Sequence, residues 1–176
     1  MMQTRKLTHI AILITFALVI HTVEAMVPVP MIVPGAKLGL ANVITLLAFV
    51  IYGFKSAMFI AVIRAILGSI FIGNFLGFGF FLSFGGAVLS TLAMALGISL
   101  WRRGAVSLIA VSIMGAVAHN TAQVLIASIL IQNINLLRLY LPLLLFLALP
   151  TGFFTGLVVI YAEKALSRVI KDVKQQ

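Results

Sequence analysis

The chain has 176 residues, of which 63% are hydrophobic and 9% are charged, and its mean hydropathy is +1.26. Soluble globular domains average about 45–50% apolar and about 25% charged residues, so a soluble domain is excluded. The chain has no cysteine, which removes disulfides, thiolate metal ligands and a cysteine nucleophile. Its net charge of +9 does not indicate a nucleic-acid partner, because the basic residues flank apolar segments, as membrane topology predicts.

Six apolar segments predict an all-α integral membrane protein, a single domain over 1–176 built as a bundle of six transmembrane helices. The N-terminus resembles a signal peptide, but its apolar run is long enough to span and five more follow, so we expect it to be retained. The second segment is short and either spans with little tilt or lies partly in the interface. The predicted spans cover 7–27, 38–53, 56–73, 79–100, 105–132 and 139–162, and a basic tail covers 163–176.

The segment between the first two spans, 27–39, is apolar but carries Pro28, Pro30 and Pro34. Proline at this density excludes a continuous helix. Lipid cannot satisfy open backbone, so the segment is expected to cap the protein or dip into it. The sequence thus predicts that 27–38 acts as a lid over any ligand site.

The lysines and arginines outside the spans are distributed unequally between the two sides of the membrane. Nine fall on the side of both termini, and two, Lys37 and Arg138, fall on the other. This bias predicts a multi-pass protein of the cytoplasmic (cell) membrane with N- and C-termini in the cytoplasm. The basic tail is expected to contact anionic lipid or a partner, or simply to be solvated.

Arg64 lies in the middle of the third span, where a central arginine costs about 2.5–3.5 kcal/mol on insertion scales. The chain has only three acidic residues, and Glu24 alone lies at membrane depth. By helical rise, Glu24 lies roughly 26 Å and Arg64 roughly 14 Å from the inner edge, so a pair requires a long reach. Two interpretations remain open: a buried Arg64–Glu24 ion pair, or a cation that binds an anionic ligand.

The fifth span carries His119, Asn120 and Gln123, which share one side of a helix. Polar side chains at this depth are expected to point into the bundle, since lipid offers no hydrogen bonds. They either orient a ligand or form interhelical hydrogen bonds, worth about 0.6 kcal/mol each on average. His119 is not expected to bind a metal, because the usual neighbouring carboxylates are missing. His21 is expected to be packed and hydrogen-bonded.

Small residues at four-residue spacing mark the third span: Ala57, Ala61 and Ala65. Such a stripe permits close helix approach. It is a candidate surface for docking a partner protein, although it may equally pack the monomer.

Several motifs are missing from the sequence. It contains no phosphate-binding loop, so the chain is not expected to energise transport by hydrolysing ATP itself. It contains no aspartate-rich motif for magnesium diphosphate, and its one aspartate, Asp172, lies in the tail. With no acidic pair for acid–base work, we expect no enzymatic activity, no metal and no cofactor.

The six-span plan, with VPGAKLGLANV at 33–43 and ILGSIFIGNF at 66–75, resembles the Gx transporter family. Members are often labelled heptaprenyl diphosphate synthase component I. The family is grouped with the substrate-binding S components of energy-coupling factor (ECF) transporters. The resemblance implies a six-helix bundle that captures a ligand near its outer face and needs a membrane scaffold protein and cytoplasmic ATPases for transport. It also makes Lys37 and Asn42 the first ligand-side candidates.

Docking of S components uses alanines at four-residue spacing on the first helix. In this chain the first helix offers the looser small face of Thr8, Ala11 and Thr15.

Two functions follow. The first is a substrate-binding subunit of an ECF-like importer for a small anionic or amphipathic metabolite. In it Arg64 holds the anion, while His119, Asn120 and Gln123 orient it. The second is a membrane scaffold in isoprenoid, quinone or flavin-linked electron-transfer metabolism that moves no solute. A ligand-sized cavity near Arg64 favours the first, and a solidly packed bundle favours the second.

Overall fold

The computed structural model describes residues 2–26 and 37–175, with side chains from Thr4 to Met26 except that of Arg5, and from Lys37 to Leu166. Helices are the only regular secondary structure among the described residues, and five of the six are long and apolar enough to cross a membrane. The predicted membrane-spanning helical bundle is therefore confirmed. The helices are α1 Met2–Met26, α2 Asn42–Tyr52, α3 Phe54–Phe71, α4 Phe78–Arg102, α5 Leu108–Leu130 and α6 Asn135–Gln175.

The short helix α2 differs from the predicted second span, 38–53. It has 11 residues, a length of about 16 Å by helical rise, which is roughly half of a hydrocarbon core. It starts late because Gly39 has φ +81°, a left-handed conformation that breaks any helix before it. The Asn42 N–H then donates to the Gly39 carbonyl at 2.9 Å, in a turn that leads into the helix. Consequently α2 crosses only half of the bundle.

The non-helical segment 37–41 fills the space above α2. Gly39 and Ala41 are buried, and Lys37 is half-buried. Backbone at this depth is tolerated only where the protein itself supplies hydrogen bonds. The predicted lid, 27–38, lies outside the described residues apart from 37 and 38.

Helices α5 and α6 pack at close range through two glycines one turn apart. A Cβ built on Gly152 would lie 2.7 Å from the Cα atom of Ile113, and one on Gly156 would lie 2.8 Å from that of Ile109. Only small residues allow two backbones to approach this closely. α6 continues to Gln175, well past the predicted end of the last span at 162, although Pro142 and Pro150 lie within it.

The alanine stripe of α3 lies inside the bundle. Ala57, Ala61 and Ala65 have exposed fractions of 0%, 0% and 1%. Ala61 and Ala65 pack with Ala87 of α4, and Ala57 belongs to the main apolar core. The docking hypothesis for this stripe is therefore corrected: its small side chains let α3 pack against its neighbours and leave no surface for a partner.

The main apolar core occupies the half of the bundle that contains the whole of α2. It is built from buried side chains of all six helices. Its largest fully buried members are Leu46, Ile60, Met94, Ile98, Val111 and Val159. The polar side chains collect instead at the N-terminal end of α2, where the helix stops and the segment 37–41 begins.

Candidate functional site: a buried cationic cluster

A cluster of charged and polar residues surrounds a small cavity at the N-terminal end of α2. The cavity has a volume of about 10 Å³. Each of α1, α3, α4 and α5 contributes polar side chains to its wall, and the segment 37–41 closes it. The lining residues are His21, Glu24, Lys37, Gly39, Arg64, Ala65, Ser83 and His119.

Arg64 provides the central positive charge of the cluster. Its side chain is only 3% exposed, and its Nη2 donates a hydrogen bond to Oδ1 of Asn42 at 3.1 Å. Its Nε is buried without a hydrogen-bond partner in the described part of the chain. Because Asn42 is the first residue of α2, the short helix itself fixes the position of this partner. A guanidinium with a neutral partner and an unused N–H retains the capacity to bind an anion.

Glu24 binds backbone instead of Arg64. Its Oε1 accepts hydrogen bonds from the N–H groups of Gly39 at 2.5 Å and Leu40 at 3.3 Å. Among the described residues no salt bridge joins Glu24 to Arg64, although both line the cavity. The carboxylate contacts the segment 37–41 because the N–H groups of this segment precede α2 and have no acceptor within a helix. They lie within hydrogen-bond reach of Glu24.

Gln123 holds the same segment from the opposite side. The Lys37 N–H donates to Oε1 of Gln123 at 2.7 Å, and Nε2 of Gln123 donates to the Lys37 carbonyl at 2.8 Å. One side-chain amide thus satisfies both polar groups of one peptide residue, as a neighbouring β-strand would. Gln123 therefore contacts the segment 37–41 and does not line the cavity.

The side chain of Lys37 turns inward toward α1. Its Nζ donates to Nε2 of His21 at 2.7 Å, which places the ring proton of a neutral His21 on Nδ1. The pKa of Lys37 is lowered to about 8, chiefly by burial and also by the nearby Arg64 charge, while the Glu24 carboxylate opposes this shift. The prediction that His21 is packed and hydrogen-bonded is confirmed, and its ring lies against Gly68 of α3.

His119 is packed between two glycines. A Cβ on Gly39 would lie 2.9 Å from its Cδ2, and a Cβ on Gly86 would lie 2.7 Å from its Cε1. The residue is 3% exposed, and neither ring nitrogen has a hydrogen-bond partner among the described residues. An imidazole held this tightly beside Arg64, with free nitrogens, is suited to complete a polar site.

Asn120 is separate from this cluster. Its Nδ2 donates to the carbonyl of Leu144 in α6 at 2.8 Å. The interhelical alternative is therefore correct for Asn120, because the helical rotation from His119 turns it toward α6. Three polar residues of α5 were predicted to share one role, but the structure separates them. His119 lines the cavity, Gln123 binds Lys37, and Asn120 joins α5 to α6. Arg138 is exposed and does not line the cavity.

Two contributors to the cluster are not indicated by the sequence. Ser83 lines the cavity from α4, but a serine in a membrane helix is too common to draw notice. The Lys37–His21 bond joins an apparent outer-loop residue to a helix interior, and it exists only because 37–41 dips into the bundle. Among the described residues, no group of three histidine, aspartate or glutamate side chains is placed to hold a metal ion.

Together, the fold and the cluster define a multi-pass helical membrane protein with a buried cationic site. Within that class, the family model described as heptaprenyl diphosphate synthase component I matches residues 13–162. The chain belongs to this family, which confirms the resemblance seen in its sequence. Comparison with curated proteins and with solved structures gave no match.

Proposed function

We propose that the chain is the substrate-binding subunit of an ECF-like importer in the cytoplasmic membrane. Its ligand is a small anionic or amphipathic metabolite. Arg64 holds the anionic group, and Lys37 and His119 complete the site. The observation that carries the proposal is a nearly fully buried arginine beside a cavity, which among the described residues has no carboxylate in contact and an unused N–H. Charged side chains inside membrane helices generally mark substrate or ion pathways.

Ligand entry requires the segment 37–41 to move. A cavity of about 10 Å³ has room for about one water molecule, so a metabolite cannot fit beside Arg64 while Lys37 stays in place. The segment is held by side-chain contacts from Gln123 and Glu24 rather than by a helix or sheet of its own. Such a segment can leave and return without unfolding the bundle. In this proposal Asn42 supports Arg64, and Asn120 only packs helices.

Docking to a membrane scaffold would use α1. Its looser small face, Thr8, Ala11 and Thr15, is exposed, in contrast to the buried alanines of α3. The nine-to-two distribution of basic residues predicts that the start of α1 and the tail lie on the cytoplasmic side, where the ATPases would act.

A second candidate, the non-transporting scaffold, is favoured by two observations. The cavity beside Arg64 has room for no more than about one water molecule. The family's description names a component of a synthase, which suggests assembly with an enzyme subunit. In this candidate Arg64 stabilises the bundle, and the chain contributes no catalysis of its own.

Co-purification distinguishes the two candidates. The chain is tagged, extracted gently from its native membrane and analysed by mass spectrometry for associated proteins. Recovery of a coupling transmembrane protein together with ATPases supports the importer. Recovery of prenyltransferases or redox proteins without ATPases overturns it and supports the scaffold. A tagged variant with Ala11→Leu on the exposed face of α1 is the matched control, since it should lose the scaffold protein only if α1 is the docking surface.

A further inference from the structure

The walls of the cavity carry an excess of positive charge. Lys37 and Arg64 are cations, whereas Glu24 is the one acid among the described residues that line the cavity. The carboxylate of Glu24 is already engaged by the N–H groups of Gly39 and Leu40. In a membrane interior an uncompensated charge is expensive, so one further negative charge is needed close to Arg64.

The unsatisfied polar atoms around the cavity are mainly donors. Arg64 Nε can only donate. Ser83 Oγ and the two nitrogens of His119 are buried without partners in the described ranges. The hydroxyl can donate one hydrogen bond, and a neutral imidazole donates from one nitrogen and accepts at the other. Nδ2 of Asn42, another pure donor, is also without a partner and lies beside Gly39 and His119. A surplus of donors calls for an acceptor, because each unmet buried group costs about 1–3 kcal/mol.

The size of the cavity limits the acceptor to a single atom or a very small ion. A volume of about 10 Å³ is near the lower limit for one water molecule. A halide ion is larger than water, and we expect a small outward shift of the lining side chains to admit it. A carboxylate or phosphate group needs more room. Water would satisfy the donors but would leave the excess charge in place.

We propose that this cavity binds one small monovalent inorganic anion of the halide class, between Arg64 of α3, Ser83 of α4 and His119 of α5. The anion neutralises Arg64 and contacts all three helices at the end of α2. It shares its position with the acidic group of the proposed metabolite, but its binding does not depend on the importer hypothesis. Entry of that metabolite would displace it.

The test is the thermal unfolding of the purified full chain in detergent, with sodium chloride replacing sodium gluconate at constant ionic strength. Chloride is expected to raise the midpoint of unfolding in a saturable way at millimolar concentration, and bromide should substitute for it. General salt effects do not saturate in this range and act equally on all variants. An equal midpoint in chloride and gluconate would overturn the proposal.

Three variants locate the effect. Arg64→Gln should weaken the apparent chloride affinity at least about tenfold, since a charge-assisted hydrogen bond is lost. Ser83→Ala, which removes one neutral donor, should weaken it about threefold to tenfold. Lys55→Gln, at an exposed cation on the same helix as Arg64, should leave it unchanged. If Arg64→Gln does not fold, the chloride affinity of Ser83→Ala still tests whether the anion binds at this site.

A chloride effect that is the same in Ser83→Ala as in the wild type, or lost in Lys55→Gln, contradicts the assignment of the site. The titration contains no organic ligand and no partner protein. Its failure therefore leaves the co-purification result untouched, and the reverse also holds.

Discussion

Gln123 and Glu24 carry the hydrogen bonds that a strand or helix would supply to the segment 37–41. Gln123 satisfies both polar groups of Lys37, and Glu24 accepts from the two N–H groups that follow Leu38. The segment is thus fixed by two long-range side-chain contacts inside a membrane bundle. In this position Lys37 and Gly39 line the small cavity beside Arg64.

Replacement of Gln123 by leucine should loosen this segment. Loss of the amide leaves the Lys37 N–H and carbonyl without partners, at about 1–3 kcal/mol each. Hydrogen exchange measured by mass spectrometry should speed up in peptides that cover 37–41, while peptides from α4 stay protected. Thr121→Val on the same helix is the control. It removes a hydroxyl that makes no hydrogen bond with the described residues. Unchanged exchange in Gln123→Leu would show that the hydrogen bonds from Gln123 do not hold the segment 37–41 in place.

Lys37 should give the bundle a pH-dependent stability in the alkaline range. Burial lowers its pKa to about 8 from 10.5, so the folded chain releases a proton that the unfolded chain retains between these values. Stability should therefore rise as pH increases from about 8 toward 10.5. The groups that face Lys37 are His21 and Glu24 of α1, Arg64 of α3 and His119 of α5.

The measurement is the difference in unfolding midpoint between the wild type and Lys37→Met across this pH range. The variant should lack the rise, because methionine does not titrate. Parallel pH profiles in the two proteins would mean that the ammonium is not desolvated in the folded chain.

At the scale of a helix pair, Gly152 and Gly156 set the distance between α5 and α6. Gly152→Leu should destabilise the folded chain by about 1–3 kcal/mol or more, because the new side chain meets the backbone of Ile113. The hydrogen bond from Asn120 to Leu144 should weaken with it. Unfolding of purified protein by a denaturing detergent is the readout. Ala165→Leu, at an exposed position of α6, should have little effect, and a comparable loss in both variants would contradict the packing argument.

Helix α2 shows what the sequence conveys about an element and what it does not. The three prolines before it predict a break in the helix, but they lie outside the described residues. The helix begins at Asn42 instead of residue 38, because hydropathy does not distinguish a half-length helix plus buried loop from a short span. The left-handed Gly39 and the contacts from α1 and α5 decide the outcome, and these depend on distant residues.

Over the whole molecule, the number of helices and the membrane class follow from the sequence, since apolar length alone reports them. The inward direction of His119 and Gln123 also follows, because lipid excludes polar side chains. Their separate partners do not follow: Asn120 contacts α6, and Gln123 contacts a residue that is far away in the chain. The sequence did not decide whether Arg64 and Glu24 form an ion pair. Helical rise gives the depth of each residue in the membrane, but it does not show that the segment 37–41 binds Glu24.

The orientation of the bundle remains a prediction from its basic residues. The chain has no cysteine, so single cysteines introduced in intact cells can report it. Ile134→Cys, exposed between α5 and α6, should react with a membrane-impermeant thiol reagent. Ala105→Cys, exposed between α4 and α5, should react only after permeabilisation. The opposite pattern would place the termini outside.

The central claim is that Arg64 binds an anionic ligand rather than serving the packing of the bundle. Native mass spectrometry of the chain, purified gently from its own membrane, tests it most directly, with Arg64→Met beside the wild type and Lys55→Met as the exposed control. The account predicts an anionic or amphipathic small molecule on the wild type and on Lys55→Met. It should be absent from an Arg64→Met protein of unchanged helix content and elution volume. An Arg64→Met protein that fails to fold, or that carries the same molecule, would contradict the claim.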